Sequence, residues 1–175
     1  MPSNRTSTPP ARRFAVTTTA LAAAFALSAC QLNSPVQTND PYDPADGVSA
    51  ETDDMEVLDL VVISEGNGAP GVISGYVVNT SSEPLTVQVA LEADGARTEL
   101  TPSVEVSRSQ GVRMDGKTDD GEFVDPVRAD SVPGVPGGMV SLRLSTADSA
   151  VSTLVPVLPP DGVYEPYAEV VGETR

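Results

Sequence analysis

The sequence predicts an all-β fold, an antiparallel immunoglobulin-like β-sandwich of about seven strands behind a disordered N-terminal tether. Three observations carry this expectation. Leu85, Val87, Val89 and Leu91 alternate with Thr86, Gln88, Ala90 and Glu92, and Val140, Leu142 and Leu144 alternate with Ser141, Arg143 and Ser145. A period of two marks a strand with one buried face. Residues 57–63 (VLDLVVI) and 72–78 (VISGYVV) are β-branched runs, apolar on both faces, as expected in the middle of a sandwich. Turn chemistry separates these runs at Glu65-Gly66-Asn67-Gly68, Asp94-Gly95, Asp115-Gly116, Asp120-Gly121 and Pro136-Gly137-Gly138, where Gly and Asn tolerate positive φ. No window of a dozen residues shows helical spacing. A small barrel would satisfy the same pattern.

The first 29 residues differ from the rest. Arg5, Arg12 and Arg13 precede residues 14–29, which contain no charge. A basic n-region followed by an apolar h-region is a signal peptide, and this stretch falls short of the roughly 18 residues that a spanning helix needs. Arg12-Arg13 lacks the flanking residues of a twin-arginine signal. The stretch closes on Leu27-Ser28-Ala29-Cys30, which resembles the bacterial lipobox. In that motif the thiol carries a diacylglycerol, and the cysteine becomes the mature N-terminus. Each buried acyl methylene contributes about 0.8 kcal/mol, so two or more chains hold a protein stably at a bilayer. Cys30 is the chain's single cysteine, so no disulfide framework is expected.

All 25 acidic residues lie beyond position 29, and three of the 10 basic ones lie before it. The expected mature chain therefore opposes 25 carboxylates with seven cationic side chains, a net charge of −18. Nucleic acid is not an expected partner, because phosphate binding needs clustered Lys and Arg. An anionic membrane surface would repel the domain as well, which leaves the lipid as its contact with the membrane.

Residues 30–54 (CQLNSPVQTNDPYDPADGVSAETDD) read as the lipidated terminus and an acidic, Pro-rich tether. Their composition buries too little apolar surface to offset the entropy of ordering, and 24 such residues would span roughly 27 Å as a coil. The β domain is then expected over 55–167, with further strand candidates at 104–107, 122–127 and 151–158. Pro156, Pro159 and Pro160 predict that the last strand is an edge strand, since proline cannot donate to a ladder. Residues 168–175 are expected to be a C-terminal tail. The sequence does not say whether the segment from Val163 runs back over the domain or hangs free.

The chain has no histidine, which removes imidazole as base, nucleophile partner or metal ligand. With Cys30 acylated, thiolate metal sites are removed too. Asp115, Asp119, Asp120, Glu122 and Asp125 crowd one loop. It matches a calcium loop only loosely, with Lys117 at the third position and Pro126 where a bidentate Glu belongs, and a solvated acidic hairpin is the expectation. A glycosidase with paired carboxylates would want an aromatic sugar cleft, yet the chain has no Trp and three Phe. Met55 and Met139 are expected in the core. Met114, beside turn chemistry, is expected to be exposed, and with nearby carboxylates it is the one candidate for a degenerate copper carrier. The Asn79-Thr80-Ser81 sequon carries no weight in a bacterial host.

The succession of the lipobox, PYDPADGVSA, EVLDLVVI, GAPGVISGYVVNTSSEPLTVQVAL, GGMVSLRL and LVPVLPP resembles the LpqE-type lipoproteins of mycobacteria and corynebacteria, over about residues 41–167. That resemblance implies a cell-envelope lipoprotein whose immunoglobulin-like domain is related to periplasmic copper chaperones, in a family with members associated with respiratory membrane complexes. The chaperones' His and Met ligands have no counterpart here. The expectation is a module with no cofactor, no metal and no catalytic residues, anchored on the outer face of the cytoplasmic membrane and docking on an envelope or integral membrane protein. The candidate docking loops are 66–71, with Asn67 and Pro70, and 132–138, with Pro133, Val135 and Pro136, which offer backbone and apolar atoms without charge.

Overall fold

The computed structural model describes residues 46–172, so Cys30 and the lipobox residues Leu27, Ser28 and Ala29 lie outside the described residues. Within this span the chain is all-β, and its strands follow the alternation in the sequence. They are β1 (Val48–Glu51), β2 (Met55–Ser64), β3 (Gly71–Asn79), β4 (Leu85–Ala93), β5 (Ala96–Glu99), β6 (Val104–Val106), β7 (Gly111–Arg113), β8 (Arg128–Ala129), β9 (Met139–Ser145) and β10 (Ala150–Leu158). A 3₁₀ helix (Gly162–Tyr167) and one turn of α-helix, α1 (Ala168–Gly172), follow. None of the described helices is long and apolar enough to cross a membrane.

The strands are hydrogen-bonded in the order β5-β4-β9-β10-β2-β3-β7. All pairings are antiparallel except one. After Pro156, β10 turns from β9 to pair in parallel with β2, Val157 opposite Val62 and Leu158 opposite Ile63. The prolines therefore do not place β10 at an edge of the path, contrary to expectation. Pro156 sits opposite Met139 just before the change of partner, where the missing N–H disturbs the fewest bonds.

Side chains from both halves of this path meet in one buried cluster. Val57, Leu60, Val62, Ile73 and Val77 of β2 and β3 share it with Val87, Val89, Leu142, Leu144, Val155 and Val157 of β4, β9 and β10. On β4 and β9 the apolar set of the alternation read from the sequence points inward.

Four further expectations are corrected. The tether does not extend to residue 54. Val48–Glu51 pairs antiparallel with β2 along the part of its edge that β10 does not reach, Val48 opposite Leu60 and Glu51 opposite Glu56. A bulge at Asp59, with φ of 52°, lets its carboxylate accept the Gly47 N–H at 3.1 Å. Residues 122–127 form no strand, only a bridge from Lys117 to Phe123 that closes the acidic loop. The methionines exchange roles: Met114 is 1% exposed and Met139 is 51% exposed. Met114 donates its N–H to Gly75 and turns its methyl toward that residue, whereas Met139 opens β9 on its outward face.

Finally, residues 168–172 are no tail. Tyr167, Val170 and Val171 pack with Val61, Ile63 and Val72 in a second buried cluster on the opposite face of β2 and β3, joined at its margin by Phe123, Leu158 and Tyr164. That cover is why both strands are apolar on both faces.

Candidate functional site

The two loops singled out in the sequence form one surface. Asn67 N–H donates to Gly134 C=O at 2.7 Å, Gly68 N–H to Val132 C=O at 2.8 Å, and Val132 N–H to Ala69 C=O at 2.8 Å. Buried Ser64 shapes the first loop from below, accepting the Gly66 N–H at 2.9 Å and donating to Pro70 C=O at 2.7 Å. Gly66 has φ of 65°, and a Cβ there would meet Gly134 C=O at 2.4 Å, so only glycine permits so close an approach. The second loop is fixed in turn to β10, with Gly137 N–H donating to Val157 C=O at 2.8 Å and Val157 N–H donating to Gly138 C=O at 2.9 Å.

This bonding leaves Asn67, Pro133, Val135 and Pro136 exposed and Pro70 half-buried, while Val132 is fully buried and drops out of the candidate surface. Val135 and Met139 expose about half of their area. β1 runs antiparallel to β2, so its N-terminal end lies toward the end of β2 that leads into Asn67. The Tyr164 hydroxyl donates to the Asp46 carboxylate at 3.4 Å at that end. Burial first, then the carboxylates of Asp46 and Asp59, push Tyr164 up to about 12.

The second assembly was not legible in the sequence. Asp115, expected in a solvated loop, is fully buried. Its Oδ1 accepts from Arg113 Nε at 2.9 Å and the Lys117 N–H at 3.0 Å. Its Oδ2 accepts from Arg113 Nη2 at 2.5 Å, Ser74 Oγ at 2.9 Å and the Tyr167 hydroxyl at 2.5 Å. Burial alone would push this carboxyl up, but the donors from Arg113, Tyr167 and the Lys117 backbone outweigh it and hold Asp115 below the usual carboxylate range. Tyr167 is pushed up, by burial first and then by donating to the carboxylate. Lys117 Nζ lies 5.5 Å from the Tyr167 ring centroid and 5.7 Å from that of Phe123.

Five donors on two carboxylate oxygens leave no lone pair for a substrate or a cation. The assembly is a strut that ties the C-terminal segment to β3 and β7. The rest of the acidic loop, Asp119, Asp120, Glu122 and Asp125, is exposed as expected.

A third polar knot joins two turns at the far end of the strands. The Asp54 carboxylate accepts from Thr52 Oγ1 at 2.7 Å, Thr146 Oγ1 at 2.6 Å and Ser149 Oγ, and these bonds hold it below the usual range against the opposing effect of burial. Among the described residues no group of three His, Cys, Asp or Glu side chains converges to hold a metal. Met114, the thioether on which the copper-carrier alternative rested, is buried rather than exposed. Neither a protein-family model nor a curated protein matches the chain.

Proposed function

We propose that this chain is a lipid-anchored accessory module of the LpqE type, held by an acylated Cys30 on the outer face of the cytoplasmic membrane and docking on an integral membrane protein through the paired loops 66–71 and 132–138. The observation that carries this reading is the direct hydrogen bonding of those loops into one surface, at the end of the domain toward which the N-terminal end of β1 points. The apolar cluster shared by β2, β3, β4, β9 and β10 supports the immunoglobulin-like architecture that the family resemblance implies.

The module is non-catalytic in this reading. The buried carboxylate is saturated with donors, and among the described residues no nucleophile, base and orienting group meet around a reacting position. Affinity comes instead from a surface already ordered before binding, which lowers the entropic cost of association.

The test is photo-crosslinking in the full-length chain in its own membranes, with the reactive residue placed at Asn67, at Val135 or, as control, at Asp120. Crosslinks to one membrane protein from Asn67 and Val135, absent from Asp120, are expected. A crosslink from Asp120 alone, or from no position, overturns the assignment of the docking surface.

A further inference from the structure

Three methionines lie among the described residues, and the fold sorts them sharply. Met55 and Met114 are 1% exposed and belong to the main apolar cluster, whereas Met139 is 51% exposed. Met139 opens β9 directly after the second docking loop, opposite Pro156 of β10. The preceding Gly138 is fixed at both ends, donating its N–H to Val135 C=O at 2.9 Å and accepting from the Val157 N–H at 2.9 Å. Val140, Val155 and Val157 are buried, so the alternation turns Met139, Leu154 and Pro156 to the opposite, outer face. Leu154 and Val135 are each more than half exposed. The Met139 thioether therefore belongs to an uncharged apolar strip that carries the loop surface onto β10.

We infer that Met139 is an oxidation site on the docking surface, where a peroxide converts its thioether to the sulfoxide and thereby weakens docking. The site stands on exposure and position alone, and only its consequence rests on the docking reading. In the reaction a sulfur lone pair attacks one peroxide oxygen, the S–O bond forms and the O–O bond breaks. The departing hydroxide takes the proton of the sulfur-bound oxygen and leaves as water. Sulfur loses two electrons and the peroxide gains them. The product replaces a soft apolar side chain with a polar, chiral one. On a strip that a partner covers, the new oxygen must give up its water or hold the surfaces apart, and either costs affinity. Oxidation at this outer position touches no core contact, so the domain itself stays folded.

The test treats the full chain in detergent with hydrogen peroxide and follows the gain of one oxygen at each methionine by peptide mass spectrometry. Met139 should oxidise at least about tenfold faster than Met55 or Met114, which react only when the fold opens. In urea beyond the unfolding transition the three rates should converge. The consequence is read by repeating the photo-crosslinking from Asn67 and Val135 in membranes after peroxide treatment. Crosslinking of the oxidised wild type should fall at least about threefold, as for a polar group left unanswered at an interface. Met139→Leu, apolar and inert to peroxide, should keep its crosslinks through the same treatment. Met139→Gln, a polar side chain of similar length, should lose them without peroxide.

Met55 or Met114 keeping pace with Met139 in the folded chain would overturn the site, and so would Met139 leading by the same margin in urea. Undiminished crosslinking of the oxidised wild type or of Met139→Gln would overturn the consequence, as would equal loss in Met139→Leu, which places the damage elsewhere. An untreated chain that gives no crosslinks marks failure of the docking surface, and the consequence falls with it. The mass data decide the oxidation site in either case, so the two failures are separable.

Discussion

Asp115 and Tyr167 stand 52 residues apart in the sequence and 2.5 Å apart in the fold. Arg113 and Asp115 were within reach of sequence reasoning, since residues i and i+2 of an extended segment share a face. Nothing local announced Tyr167. Replacing Asp115 by Asn removes the charge that Arg113 and Tyr167 answer. It should cost roughly 1–3 kcal/mol for buried polar groups left mismatched, read as a lower urea midpoint with unchanged slope.

The pH dependence of stability follows from the directions of the two shifts. Asp115 is lowered, so its contribution is full above the unfolded value of about 3.9 and is lost as pH falls through the lower folded value. Tyr167 is raised, so its contribution is full below about 10 and is lost as pH rises through the higher folded value. The Tyr167→Phe variant should lose the part of the alkaline decline that this hydroxyl causes, while retaining an acid decline. Unfolding midpoints measured across the pH range check both limbs. Gly66 is the other residue with a sharp expectation: an Ala there takes a left-handed conformation, costing roughly 1–3 kcal/mol, and forces the Gly134 carbonyl away. Amide exchange at Asn67 and Gly68 should accelerate in Gly66→Ala as their bonds to the second loop open.

At the scale of elements, the strands with clean alternation, β4 and β9, were legible to within a residue or two, because a half-buried strand writes its inward face directly into the sequence. β1 was not, since its composition is that of a linker and its order comes from the edge of β2 that β10 leaves open. β7 and β8 are three and two residues long, and both pair with β3. The apolar outer face of β2 and β3 was visible without its cover. Val170 and Val171 offer too short a run to declare a helix, yet both are 7% exposed against that face. Changing Val171 to Ala should cost roughly 1–2 kcal/mol, and changing it to Asp considerably more, by placing a charge against Val61 and Ile63. Thermal denaturation of the two variants, with near-ultraviolet circular dichroism at Tyr164 and Tyr167, checks that the C-terminal segment is the part that loosens.

For the molecule as a whole, the net charge, −15 over the full sequence and −18 for a chain beginning at Cys30, sets the approach to a partner more than the strength of the contact. Association with the partner membrane protein should slow as salt rises, with dissociation from the uncharged loop pair changing far less. The acidic surface also offers no attraction to an anionic bilayer, so the account leaves residence at the membrane to the acyl chains on Cys30. The most direct measurement is the distribution of the full-length Cys30→Ser protein between washed membranes and the soluble fraction, beside the intact mass of the wild-type mature N-terminus. The account predicts a wild-type chain that begins at an acylated Cys30 and stays with membranes through washing at high salt and alkaline pH, and a variant recovered in the soluble fraction. A Cys30→Ser protein that stays in the membranes after the same washes, or a wild-type N-terminus without acyl mass, would contradict it.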